Sequence, residues 1–165
     1  MVRTTLAVLA AGSFVLVSGA AAQKHPDFSG TWKINVEKSD PPPQRGGMGG
    51  GQQWAEMTQV VTQTAEAIKV EVTMGERTQT LSYHLDGRES VNTGMRGAEM
   101  KSTSKWDGAA LVTTGSTNME TPQGAMEIKT KETRTLSEDG KTMTVVTVSQ
   151  TPRGERTRKT VLEKQ

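Results

Sequence analysis

The residues of this chain alternate. Phe28, Gly30, Trp32, Ile34 and Val36 fall on one parity, and Thr31, Lys33, Asn35 and Glu37 on the other. Ile68, Val70, Val72 and Met74 interleave with Lys69, Glu71 and Thr73 in the same way. Leu81, Tyr83 and Leu85 interleave with Ser82, His84 and Asp86, and Met126, Ile128 and Thr130 with Glu127, Lys129 and Lys131. A period of two is the signature of a strand, because successive side chains leave a pleated backbone on opposite faces. Each run therefore predicts one face for a core and one for water. Further strands fit residues 57–64, 100–106, 109–119, 141–150 and 155–163. The 24 threonines suit a pleated, half-solvated surface. No segment has helical periodicity.

The runs are separated by turn chemistry: Met74-Gly75, Asp86-Gly87, Asp107-Gly108, Pro122-Gln123-Gly124, Asp139-Gly140 and Pro152-Arg153-Gly154. Short hairpins between consecutive strands make an up-and-down antiparallel meander. Closing such a sheet buries its apolar faces together and removes its edges. The expected fold is all-β, an up-and-down antiparallel barrel of about eight to ten strands, with a two-sheet β-sandwich as the alternative.

Residues 1–22 have a different character. Arg3 is their only charge, Leu6 to Val17 is apolar or small, and Ala20-Ala21-Ala22 ends the segment. That order is the one found in a cleavable export signal, and its apolar part is short for a membrane span. Residues 23–165 are then expected to form one domain, working in the periplasm or outside the cell. The chain has no Cys, so disulfides, thiol chemistry and a lipidated N-terminal Cys are all excluded. Residues 40–53, with three prolines and five glycines, interrupt the strand pattern. They predict a long loop that is neither strand nor helix, either a lid or disordered.

Several functions find no support. The charges nearly balance, at 20 Lys and Arg against 18 Asp and Glu. They are mixed along the chain, without the basic stripe and stacking aromatics of a nucleic-acid binder. His25 and His84 are the only histidines. His84 falls on the polar face of its strand, away from any pocket that could hold haem, and His25-Pro26 is expected to be mobile. No His and carboxylate spacing fits zinc or calcium. Met57, Met74, Met126 and Met143 sit at core parity, as filling side chains and not as a copper site. No nucleophile elbow or catalytic metal motif is present, so neither an enzyme nor a cofactor is expected.

The segment Gly30-Thr31-Trp32, on the first strand of a meander, resembles the G-x-W motif of lipocalins. The Pro/Gly-rich loop behind it matches the position of the lipocalin loop over the barrel mouth. Thr160 to Lys164 is similar to the end of intracellular fatty-acid-binding proteins. GTWKINVEKS together with TRTLSEDGKTM, residues 133–143, resembles small exported bacterial lipocalin-like proteins. The second lipocalin motif, T-D-Y, is absent. The resemblance implies a calycin-type barrel holding an apolar small molecule. It also implies that Trp32 packs at the closed barrel end under a cation, for which Arg158 or Arg134 would serve.

On this reading the lumen wall comprises Trp32, Ile34, Val70, Val72, Tyr83, Trp106, Met126 and Ile128. If the alternation of Met126, Ile128 and Thr130 continues, Glu132 and Arg134 also point inward. A buried charge needs a partner, and this pair would orient a polar ligand group, with Arg134 taking an anion. The competing expectations are a strand that has left the core by Thr133, or a pair that closes the barrel end. The leading function is binding of a small, mainly apolar or amphiphilic molecule. The alternative is a filled barrel that acts as an envelope or secreted interaction module. No protein partner, membrane span or lipid anchor is indicated.

Overall fold

The computed structural model describes residues 25–41, 50–94, 97–121 and 124–165. The expected export signal, 1–22, and most of the Pro/Gly-rich stretch, 42–49, lie outside the described residues. The elements are β1 (Gly30–Ile34), α1 (Gly50–Ala55), β2 (Thr58–Gln63), β3 (Ala67–Met74), β4 (Arg77–His84), β5 (Glu89–Thr93), β6 (Glu99–Asp107), β7 (Ala110–Thr121), β8 (Gly124–Leu136), β9 (Thr142–Thr151) and β10 (Gly154–Lys164).

The ten strands form one antiparallel sheet in the order β4-β3-β2-β1-β10-β9-β8-β7-β6-β5. Each strand pairs with its neighbour in sequence except β4 with β5, and β1 with β10 joins the two ends of the meander. The sheet curls until its edges, β4 and β5, meet. There the ladder gives way to side chains standing in for backbone. The Asn92 carboxamide accepts from Ser82 N at 2.8 Å and donates to Ser82 O at 2.9 Å, as a peptide group would. Ser90 Oγ accepts from His84 N at 2.8 Å. The result is a nearly closed barrel with a side-chain seam.

β5 explains its own absence from the sequence reading. Its inward positions are Ser90 and Asn92, both buried, while Val91 is exposed. The polarity of its alternation is reversed because its inner side chains serve the seam and not an apolar core. Helix α1 is a second correction, since residues 40–53 had predicted no helix. Its two glycines disfavour a helix locally, but Trp54 at its end is buried in the core cluster. The Trp54 carbonyl accepts from Met57 N at 3.0 Å, which leads the chain into β2. Tertiary anchoring by one indole overrides weak propensity. Turns fall where the Asp-Gly pairs stand; Gly108 and Gly140 adopt φ of 59° and 66°, which a side chain would oppose.

Register carries the inward parity from strand to strand. Trp32 faces Gln59, Val70 faces Leu81, Leu111 faces Arg134, and Arg134 faces Val145. Phe28, Trp32, Ile68, Leu111, Met143 and Leu162 are fully buried at the end of the barrel where β1 begins. Trp32 Nε1 donates to Phe28 O at 2.9 Å, so the indole is buried without an orphaned donor. Its cation is neither Arg158 nor Arg134. Lys164 Nζ stands 5.3 Å from the Trp32 ring centroid. Lys164 is the register partner of Trp32 across β1 and β10, whereas Arg134 is held within the barrel by Glu132. His25 is also not free: its ring stacks on Trp106 at 4.3 Å and 4°.

Candidate functional site

Away from the buried Leu111, Met143 and Val145, the inner surface of the barrel divides into two chemistries. Strands β1 to β4 present Trp32, Ile34, Val61, Ile68, Val70 and Tyr83, all buried. Strands β6 to β9 present Ser102, Ser104, Thr113, Thr130, Glu132 and Thr147 at the facing positions. A cavity of about 220 Å³ lies between them. Leu81, Tyr83 and Met100 form its apolar side. Ser102, Thr113, Thr117, Thr130 and Thr147 line it with hydroxyl-bearing residues, and Glu132 with a carboxylate. Gly115 also lines it, and its backbone packs so tightly that an added Cβ would sit 2.6 Å from Lys101 O.

Behind this wall is a buried polar cluster. Arg134 is only 5% exposed. Its Nε donates to Glu132 Oε1 at 2.7 Å, and its Nη1 to Gln59 Oε1 at 3.4 Å. The Glu132 side chain retains 26% exposure, and it is Glu132, with Arg134 behind it, that forms part of the cavity lining. The continued alternation along β8 is what turns both charges inward. Burying an ion pair is tolerable only when its charges are matched and hydrogen-bonded, and Gln59 supplies an additional acceptor from across the barrel. Burial pushes the Tyr83 phenol up to about 12; the Glu132 carboxylate adds to this and the Arg134 guanidinium opposes it. Tyr83 therefore stays a neutral hydroxyl in the cavity wall at ordinary pH. Ser104 Oγ and Thr113 Oγ1 bond to each other at 2.7 Å. Ser102 Oγ is buried with no hydrogen-bond partner among the described residues.

The residues singled out from sequence separate into three places. Tyr83 and Glu132 line the cavity, with Arg134 immediately behind. Trp32, Ile34 and Val70 are buried in the core cluster, with Val72 and Trp106 partly buried against it. Trp106 also lines a recess of about 350 Å³ with His25, Asp27, Gln63 and Leu85. Met126 and Ile128 are half-buried further along β8, toward its turn with β7 and outside the cavity lining. The sequence reading passed over Gln59, Met100, Ser102, Thr113, Thr117 and Thr147. An inward hydroxyl is indistinguishable in type from an outward one. The signal that could have found several of them was parity counted back from Trp106, which places Ser104, Ser102 and Met100 on its face.

Among the described residues, no three His, Asp or Glu side chains gather as a metal-binding group. Nor is any helix there long and apolar enough to cross a membrane.

No protein-family model matches the chain, and no curated protein matches it by sequence. Solved structures do match. A protein described as the REP1-NXSQ fatty acid transporter superposes with a TM-score of 0.59 at 14% identity, over 84% of this chain and 96% of that one. The zebrafish ileal bile acid-binding protein, complexed with cholic acid, gives a TM-score of 0.58 at 14% identity, over 84% and 98%. The fold is therefore a ten-stranded, nearly closed antiparallel barrel, similar to that of these two proteins.

Proposed function

We propose that this barrel binds a small, mainly apolar or amphiphilic molecule in its lumen, and that it does so outside the cytoplasm. The observation that carries the reading is the cavity between Leu81, Tyr83 and Met100 on one side and Glu132 and the hydroxyl-bearing residues on the other. An apolar body with a few convergent polar groups is the usual make-up of a ligand site. The names of the matching proteins, a fatty acid transporter and a bile acid-binding protein, support the same class of cargo. Export rests on the character of residues 1–22. N-terminal sequencing of protein recovered from the envelope or medium tests it. A start at Gln23 supports export, and an intact Met1 defeats it.

One observation favours a second reading. At about 220 Å³ the cavity is smaller than the roughly 300–1,000 Å³ of typical ligand pockets. A barrel filled this far could act through its outer face instead. Mass spectrometry of small molecules released from natively purified protein separates the two. A recurrent amphiphile at near-stoichiometric yield supports lumen binding, and an empty barrel under several growth conditions supports the filled one.

A further inference from the structure

The charge facing the cavity has the wrong sign for an acid. The arginine of the polar cluster lies behind its carboxylate partner, so a ligand meets Glu132 before Arg134. The guanidinium is already matched by Glu132 at 2.7 Å and turned toward Gln59 at 3.4 Å. Lys101 contributes to the lining, but its ammonium pairs with Glu99, 3.5 Å away on the same strand face. The remaining polar side chains of the lining are neutral: the Tyr83 phenol and hydroxyl-bearing residues such as Ser102, Thr113, Thr117, Thr130 and Thr147. The buried Ser102 hydroxyl has no partner among the described residues.

We infer that the lumen selects a neutral amphiphile, one whose polar end carries hydroxyl or ester groups, and discriminates against carboxylates. This rests on the lumen-binding reading above. A hydroxyl donates to the Glu132 carboxylate and accepts from Tyr83 or a wall hydroxyl, which satisfies groups that would otherwise face apolar ligand surface. A carboxylate placed there adds a second negative charge beside the partly buried Glu132, and like charges at that distance disfavour each other. An ammonium gains from Glu132 but is repelled by Arg134 directly behind it. The pair thus presents dipoles and no net charge, and neutral polar chemistry fits it best. The size of the cavity restricts the cargo to a short or compact chain.

The test titrates the full-length mature protein with monooctanoylglycerol, octanoate and octylamine, and reads affinity by calorimetry. The glyceride is expected to bind roughly tenfold or more tightly than either ion, the factor that one mismatched buried polar contact produces. Glu132→Gln keeps an acceptor for Arg134 but frees its charge, and is expected to reverse the order in favour of octanoate. If octanoate or octylamine matches or exceeds the glyceride in the wild-type protein, this inference is overturned while lumen binding stands. If none of the three binds, lumen binding fails and takes the inference with it. The wild-type ranking is decisive even where Glu132→Gln does not fold. Where that variant does fold, an unchanged order shows that Glu132 does not set the selectivity and overturns the mechanism.

Discussion

Raising the pH should destabilise this barrel through one side chain. Tyr83 is the only tyrosine in the chain, so phenolate absorbance reads that residue alone. It is buried opposite Ile68, with its hydroxyl in the cavity wall beside Glu132. Burial, reinforced by Glu132, raises it from an ordinary 10.0 to about 12. Between those values the unfolded chain has lost the proton and the folded one has kept it. The unfolded state thus binds fewer protons, and stability falls as pH rises through that window. The contribution is fully present below pH 10.0 and is gone above about 12. At about 1.4 kcal/mol for each factor of ten in proton affinity, the loss amounts to roughly 2–3 kcal/mol. Urea unfolding at a series of alkaline pH values measures it. Tyr83→Phe serves as control, since lysine deprotonation affects both proteins alike and the difference between them isolates the phenol. A wild-type curve parallel to that of the variant, or a phenolate titrating near its ordinary value in the folded protein, would refute the burial of the Tyr83 phenol beside Glu132.

Trp32→Ala should lower stability by about 3–5 kcal/mol, the usual cost of truncating a buried aromatic, because Trp32 is fully buried with its Nε1 bonded to Phe28. A change below about 1 kcal/mol in denaturant unfolding would show that the closed end does not depend on it. Asn92→Ala should open the β4–β5 seam by removing both bonds to Ser82. Hydrogen exchange at the Ser82 amide should accelerate by roughly tenfold or more, consistent with about 1–3 kcal/mol for an orphaned backbone pair, while Val70 in β3 stays protected. Equal acceleration at both amides would mean global destabilisation and not a local seam.

What the sequence made legible follows from where apolar parity is clean. Strands such as β3, with Ile68, Val70 and Val72 facing in and Lys69 and Glu71 facing out, are determined by local alternation. The turns at Asp107-Gly108 and Asp139-Gly140 are determined by backbone conformations that favour glycine. Glu132 and Arg134 were legible because the alternation from Met126 to Lys131 precedes them on β8. The rest depends on long-range pairing. β5 is specified by a seam partner ten residues back in the chain, and its inward Ser90 and Asn92 have the opposite polarity to a core strand. Helix α1 exists because Trp54 finds the core, which its neighbouring glycines do not announce. Gln59 enters the polar cluster from a strand distant in sequence from Arg134. The partner of Trp32 had to await the β1–β10 register, which alone sets Lys164 opposite it.

Whether the lumen or the outer face takes the ligand can be decided on β8. Thr130 lines the cavity, while Lys131, the next residue on β8, points to solvent. Thr130→Phe fills the cavity, and Lys131→Phe adds the same ring outside the barrel. Calorimetric titration of both variants with monooctanoylglycerol, alongside their melting temperatures, is the direct test. The expected result is binding abolished by Thr130→Phe in a protein that remains folded, and binding unchanged by Lys131→Phe. Binding that survives Thr130→Phe, or is lost only with Lys131→Phe, would contradict a ligand held in the lumen.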